Sequence, residues 1–315
     1  QIGDHIAGLK SLDSFNSQAL SNTAWAYATA GVSHPELFKK IGDHVAGLKS
    51  LDSLKPQELS NTAWAYATAR RFDLRLFEKV STEAVVNREH FGCQEVANFL
   101  WACATVGHTD ERLFSAFVPV IASKLDEFNE QELANIAWAY SVANLKQDLF
   151  DEGYVSALAA YENVFPEESR RQLHQWQLWQ QEIESGIELP QSLQEKCRNT
   201  FISSSYSESK LQNDVVGELR AAGLDFDEEV LLGSGYRIDA LVKIREERKV
   251  AVEVDGPFHF IDSRPAGRTI LKHRQVARLD YIEVVSVPYW EWDGLKNSVM
   301  KQHYLHKKLG CEKDH

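Results

Sequence analysis

A single period governs the first half of this chain. Ser-Asn-Thr-Ala-Trp-Ala-Tyr-Ala-Thr-Ala fills positions 21–30 and returns letter for letter at 60–69. Weaker copies stand at 97–104 and 134–140, so that Trp25, Trp64, Trp101 and Trp138 recur. The spacing is about 38 residues, within the range of helical solenoids. Each copy has a glutamine four residues before its asparagine (Gln18, Gln57, Gln94, Gln131) and a Leu-Phe pair after its tryptophan. A unit this short cannot bury its own apolar face, so successive copies must stack on one another.

Each unit reads as two helices. In the first, Leu20, Ala24 and Ala28 fall at i, i+4 spacing and form a buried stripe. Pro56 suits the first turn of the second copy, where an amide hydrogen has no partner to lose. The second helix opens at Ser33-His-Pro-Glu36, a capping-box spacing, and carries Leu37, Ile41, Val45 and Leu48 as its stripe. Residues identical in every copy are read as packing residues, the repeated Asn and Trp included, although those two also suit base reading or stacking. Readout is then expected at positions that vary between copies. These are either Ala19, Glu58, Glu95 and Glu132, or Thr23, Thr62, Phe99 and Ile136.

The Gln-x-(Leu/Val)-x-Asn-x-x-Trp-Ala pattern resembles the octotricopeptide-type repeats of organelle RNA-binding proteins, and the related heptatricopeptide repeats. That resemblance covers residues 1–154. It implies a role in transcript stability, splicing, translation or rRNA assembly.

Over 155–206 the period is lost from the letters. Residues 167–187 are polar and helix-forming, with Leu173, Trp176 and Trp179 one turn apart. An end cap packed on the last repeat is the expected role of those tryptophans, ahead of base stacking. A serine-rich stretch at 203–209 reads as a loop.

From 207 to 309 the pattern changes. An amphipathic helix carrying Leu211, Val215 and Leu219 precedes strand-like segments at 226–232, 236–243 and 249–255. A basic helix at 267–279, a strand at 281–287 and a closing helix at about 294–309 follow. This order implies an α/β sandwich, followed by a short tail at 310–315. In the strand from Lys249, Glu253 and Asp255 leave on one face, because residues two apart point the same way. A hairpin brings Asp239 alongside them, and His259 lies just past the turn at Gly256-Pro257. Acidic groups gathered at strand ends suit a hard cation such as Mg²⁺. The alternative is that these carboxylates bond backbone amides and shape a phosphate-binding face.

The letters Ile238-Asp239, Val252-Glu-Val-Asp-Gly-Pro-Phe-His-Phe260, Thr269-Ile-Leu-Lys272 and Val285-Ser-Val-Pro-Tyr-Trp-Glu-Trp292 resemble the RAP domain, named for RNA-binding proteins abundant in apicomplexans. RAP domains are similar to restriction-endonuclease-fold nucleases, in which two acids and a lysine hold metal and activate water. The resemblance implies Asp239 as the first acid and Glu253 as the second, with Asp255 where the lysine would stand. Lys272 is placed to supply the missing charge, and His259 to act as a general base or to bond phosphate. Mg²⁺ or Mn²⁺ is the implied cofactor, with Asp239, Glu253 and Asp255 as ligands. Lys249, Lys272, Arg274 and Arg278 are the expected contacts to RNA phosphates. Trp290 and Trp292 are read as core and edge packing.

The net charge of −12 argues against nucleic acid only bluntly. Residues 1–166 hold about eight negative charges in excess, whereas the chain from Lys243 onward is locally basic. No apolar run is long enough for a membrane span. The four cysteines lack CxxC spacing, so reduced thiols are expected. The chain opens on Gln1 and holds one methionine, Met300, which is read as a fragment or processed form whose targeting peptide is out of view. Three readings follow: a repeat-guided binder of single-stranded or ribosomal RNA in mitochondrion or chloroplast, a metal-dependent ribonuclease guided by the repeats, and a structural subunit of an organelle ribosome or other ribonucleoprotein.

Overall fold

The computed structural model describes residues 2–203, 209–244 and 248–311. The expected loop at 203–209, the start of the helix at 207 and the end of the 310–315 tail fall largely outside them. A short helix α1 (Ile2–Gly8) leads into four helical hairpins. Their first helices are α2 (Ser17–Thr29), α4 (Pro56–Thr68), α6 (Cys93–Thr105) and α8 (Glu130–Ala143). Their second helices are α3 (Pro35–Gly47), α5 (Leu74–Val86), α7 (Glu111–Ser123) and α9 (Glu152–Ala160). The first helices stack directly on one another. The alanines that flank each tryptophan permit this close approach: Ala24, Ala63, Ala65, Ala102 and Ala137 are fully enclosed.

The sequence stripes behave as expected. Leu20, Ala24 and Ala28 of α2 are buried, as are Leu37, Ile41 and Val45 of α3. Pro56 is the first residue of α4. The cap of α3 differs from expectation by one position: His34, not Ser33, accepts the Leu37 amide. A tyrosine in α4 and another in α8 hook the preceding hairpin, Tyr66 donating to the Phe38 carbonyl and Tyr140 to that of Phe114 at 2.7 Å; α6 has Cys103 at that place. Each first helix also ends on a left-handed residue: Gly31, Arg70, Gly107 and Asn144 have φ of 63°, 58°, 72° and 55°. Glycine is the low-cost residue there, so the arginine in the second copy stands out.

The array does not stop at the fourth copy. Helix α10 (Glu167–Glu182) stacks on α8, and α11 (Gln191–Ile202) packs back on α10. Trp176 and Trp179 are fully buried there against Phe150, as an end cap requires. Gln172 and Gln175 occupy the places of the repeated Asn and Trp, 37 residues beyond Asn135 and Trp138. The period lost from the letters therefore persists in space.

The C-terminal unit is a four-stranded sheet between helices. Helix α12 (Lys210–Ala221) precedes strands β1 (Asp225–Leu231), β2 (Arg237–Ile244) and β3 (Arg248–Asp255). A small hairpin, β4 (Phe260–Ile261) and β5 (Arg264–Pro265), then leads to α13 (Gly267–Leu279) and β6 (Glu283–Pro288). Two helices, α14 (Tyr289–Asp293) and α15 (Ser298–Lys308), close the chain. The sheet order is β1-β2-β3-β6, antiparallel except for the β3–β6 pair. Valines 250, 252 and 254 of β3 join the core under α12 and α15, whereas Ala251 joins the core under α13. The alternation read from the letters is thus the alternation of two cores. All four cysteines are free, and no helix among the described residues is long and apolar enough to cross a membrane.

Helix α13 docks the sheet unit onto the array. Ile261, Ala266 and Leu271 belong to the same apolar cluster as the repeats. A Cβ on Gly267 would lie 2.1 Å from the Ala104 carbonyl oxygen, a clash with backbone. Trp138, Gln175, Tyr236 and Gln275 form a hydrogen-bonded chain that runs from the fourth copy into the sheet unit. The His174 Nε2 donates to the Ser234 carbonyl at 2.8 Å, and burial pushes that imidazole down to about 4.

Two outcomes follow for stability. Gly267→Ala lowers it by about 1–3 kcal/mol through overpacking. Gly217→Ala, in α12 with nothing within 4 Å, raises it by about 0.5–1 kcal/mol; urea denaturation reads both. His174 binds its proton near 6.5 when unfolded but only near 4 when folded. Its contribution is therefore complete above the unfolded value and falls as pH drops toward the folded one, by up to about 3 kcal/mol. Thermal melts between pH 7 and 4 decline more steeply for the parent than for His174→Gln.

Candidate functional site

Two sets of chemistry-bearing residues are assembled, one on the array and one on the sheet unit. On the array, Gln18, Asn22 and Trp25 lie four and three residues apart, so they share one helix face. That face is opposite Leu20 and Ala24, and the later copies repeat it. Asn22, Trp25, Gln57, Asn61, Gln94 and Asn98, with Ser60 and Glu95, line a polar groove of about 300 Å³. Trp25 is 44% exposed, and its ring lies 6.5 Å from that of Trp64, tilted by 36°. This corrects the expectation that the repeated Asn and Trp are purely packing residues. Repetition alone does not imply burial: the same Asn and Trp are exposed in the first copy and buried in the fourth.

The expected readout positions fare differently. Thr62, Phe99 and Ile136 are buried, and they cannot meet a ligand. The Thr23 and Thr62 hydroxyls donate to the Ala19 and Glu58 carbonyls of their own helices. In the other set, Glu58 Oε2 accepts the Lys55 amide and Glu132 closes a capping box at Asn129, and Ala19 is half-buried. Of that set, Glu95 lines the groove. The groove closes toward α10. Trp138 is only 6% exposed; its Nε1 donates to Gln175 Oε1 at 2.9 Å, and Asn135 Oδ1 accepts from Gln172 Nε2 at 3.0 Å. Two planar amides thus engage the asparagine and the indole, one each.

On the sheet unit, β3 presents Glu253 and Asp255 beneath α13. The Asp239 Oδ2, from β2, accepts the Val254 amide at 2.6 Å. Lys272 Nζ reaches Glu253 Oε2 at 2.6 Å, so the lysine missing from the strand is supplied by the helix. Asp255 Oδ1 lies 2.8 Å from His259 Nδ1, its Oδ2 lies 3.6 Å from His273 Nε2, and Ser286 donates to Asp255 Oδ2. Burial raises Asp239 above the usual carboxylate range. Burial likewise pushes Glu253 up to about 8, with Lys272 opposing and Asp239 adding to the rise. Burial acts to raise Asp255 too, but His259 and His273 hold it below its usual value. Burial lowers His273; burial acts to lower Lys272 too, but Glu253 and Asp239 hold it above its usual value.

A cation fits part of this arrangement. Ligand atoms of Glu253, Asp255 and His273 all lie within 4.8 Å of one another. Glu253 is 1% exposed, and its Oε1 has no hydrogen-bond partner among the described residues. The expected ligand set changes in membership: Asp239 is drawn toward the strand amide, and His273, which the sequence reading missed, takes its place. Two carboxylates and an imidazole suit Mn²⁺ better than Mg²⁺, which prefers oxygen alone.

The expected phosphate contacts are largely engaged elsewhere. Arg274 pairs with Glu182 at 2.7 Å and donates to the Val142 and Ser141 carbonyls. Arg278 also pairs with Glu182, at 2.9 Å, and Lys272 is held by Glu253. Lys272 and Arg274 are thus internal contacts rather than free ones, because buried carboxylates compete for them at short range, whereas the Arg278 side chain stays 54% exposed. Lys249 stays exposed, opposite Lys243 in the strand register. Trp292 is core, and Trp290 packs edge-on against Phe260 at the surface.

Residues 252–308, from the middle of β3 to the end of α15, match the family model of the RAP domain. The C-terminal unit contains a RAP domain. The chain is 31% identical over 106 residues to a chloroplastic RAP domain-containing protein of Oryza sativa subsp. japonica. The match covers 33% of this chain and 16% of that protein, so this chain spans a small part of its relative's length.

The Lys272–Glu253 pair has a measurable signature. Lys272→Met alone costs about 3 kcal/mol, because it leaves an uncompensated buried carboxyl among two others. Adding Glu253→Gln recovers a large part of that loss, and a double-mutant cycle by denaturation reads the coupling.

Proposed function

We propose that this chain is an organelle RNA-binding protein in which the helical array holds a single strand and the RAP domain acts beside it in RNA processing or ribonucleoprotein assembly. The observation that carries this reading is the polar groove lined by amides and an indole that no described residue covers over the first three copies. Asparagine and glutamine amides offer donor and acceptor together, as a base edge does, and an exposed indole offers a stacking surface. The rice relative is chloroplastic, which supports a plastid or mitochondrial setting. Labelled single-stranded RNA titrated against an Asn22→Ala/Trp25→Ala variant tests the reading. Affinity falls at least about tenfold, as loss of one stacked base implies; an unchanged Kd would sink it.

A second reading, a metal-dependent ribonuclease guided by the array, is favoured by the orphaned Glu253 Oε1 beside Asp255, His273 and Lys272. Glu253, Asp255 and His273 would hold the ion, and the ion would supply an activated water. Lys272 would stabilise developing phosphate charge, and His259 would accept a proton. RNA incubated in Mg²⁺ and then Mn²⁺ is cut by the parent and left intact by Asp239→Ala/Glu253→Ala. Equal products from both proteins, or none from either, would exclude it.

A further inference from the structure

Phe258 lies in the turn between β3 and α13, and its ring is 69% exposed. It is nevertheless held in place. The Arg70 guanidinium donates to the carbonyls of Pro257, Phe258 and Phe260, the last two at 2.7 and 2.6 Å. Arg268 donates to the Phe258 carbonyl as well, and Ala266 N–H closes the turn on the His259 carbonyl at 2.8 Å. The Arg70 guanidinium sits 5.3 Å from the Phe258 ring centroid, a cation–π distance. An aromatic ring fixed at the surface, with a cation against it, has lost little freedom that a ligand would need to remove.

The charge around this ring is opposite to that of the chain. Arg70 and Arg268 donate to neutral carbonyls, and the Arg264 guanidinium lies 4.5 Å from the Phe72 ring centroid. Among the described residues, no ion pair joins any of these three to a carboxylate, in a protein of net charge −12. The two arginines are close enough for Arg268 to lower Arg70, after burial, which is the larger cause. Glu168 acts on Arg268 without an ion-pair contact, so the cluster keeps donors and charge for an anion. Arg70 moreover stands at a left-handed position, φ 58°, where two sister copies have glycine. A nucleotide unit meets both demands at once: a flat apolar base and a phosphate. A peptide segment supplies them only where an aromatic and an acidic residue coincide.

We infer that Phe258, with Arg70, Arg264 and Arg268 at its rim, forms a nucleotide-binding site in which an unpaired RNA base stacks on the ring and its phosphate meets the guanidinium groups. The site rests on the RNA-binding reading and extends it from the array to the seam with the RAP domain, one residue from His259. It is formed jointly: Arg70 comes from the second copy, and the remaining residues come from the RAP domain.

The test uses the full chain and a short single-stranded RNA carrying 2-aminopurine at each position in turn. With the parent and with Phe258→Trp, one position is quenched on binding. With Phe258→Ala, that quench is lost and affinity falls about tenfold, while the melting temperature is unchanged because the ring is exposed. Arg268→Gln lowers the slope of log K against log salt by about 0.7, the share of one phosphate on a single strand. If Phe258→Ala binds and quenches like the parent while Asn22→Ala/Trp25→Ala is impaired, this site is refuted and the RNA-binding reading stands. A parent that fails to bind RNA at all overturns both.

Discussion

The arrangement of the two halves depends on one buried carboxylate. Glu182, at the end of α10, has a fully enclosed side chain and receives both Arg274 and Arg278 from α13. Arg274 also donates to the Ser141 and Val142 carbonyls in the last turn of α8, where the helix leaves carbonyls short of partners. A charge so placed is tolerable only when paired; removing one partner of a buried pair typically costs about 3–5 kcal/mol. With the pair in place, the start of α13 sits against the end of α6 at Gly267, and the turn after β3 comes within reach of Arg70. The seam that assembles the Phe258 rim is therefore a consequence of a helix-end contact remote from it in sequence.

Much of this architecture is legible in the letters because repetition and alternation are strong signals. The Trp25 period gives the hairpins, Leu20-Ala24-Ala28 gives the buried stripe, and Val250-Val252-Val254 gives a strand between two cores. The fifth hairpin is illegible for a physical reason: stacking needs helix length and a close apolar face, and Gln172 and Gln175 meet those needs without resembling Asn and Trp. The site is partly legible. Asp239, Glu253, Asp255 and Lys272 are brought together as the family resemblance implies. His273 lacks any pattern that marks it, because it reaches Asp255 only through the tilt of α13 over the sheet.

The misplaced residues share a cause. Basic side chains on α13 are read from the sequence as a solvated, phosphate-facing set. Which of them is free depends on where carboxylates lie in space: Glu182 is about ninety residues away in sequence from the arginines it holds. Charge on a linear chain does not reveal its partners, and neither net charge nor a local excess identifies the unpaired groups. Here Arg70, Arg264 and Arg268, scattered through the sequence, converge, while the denser run from Lys272 to Arg278 is paired with Glu253 and Glu182.

The engagement of Asn135 and Trp138 by α10 gives the array a direction. Along the inner face, accessibility declines from Trp25 to Trp138, and beyond that point the chain's own amides complete the pattern. A strand laid in the groove meets an open run at one side and an occupied rung at the other. Under the RNA-binding proposal, the occupied rung would work as a fixed zero on a ruler: the position of a bound strand would be counted from there, and the copies on the open side would set how far it extends.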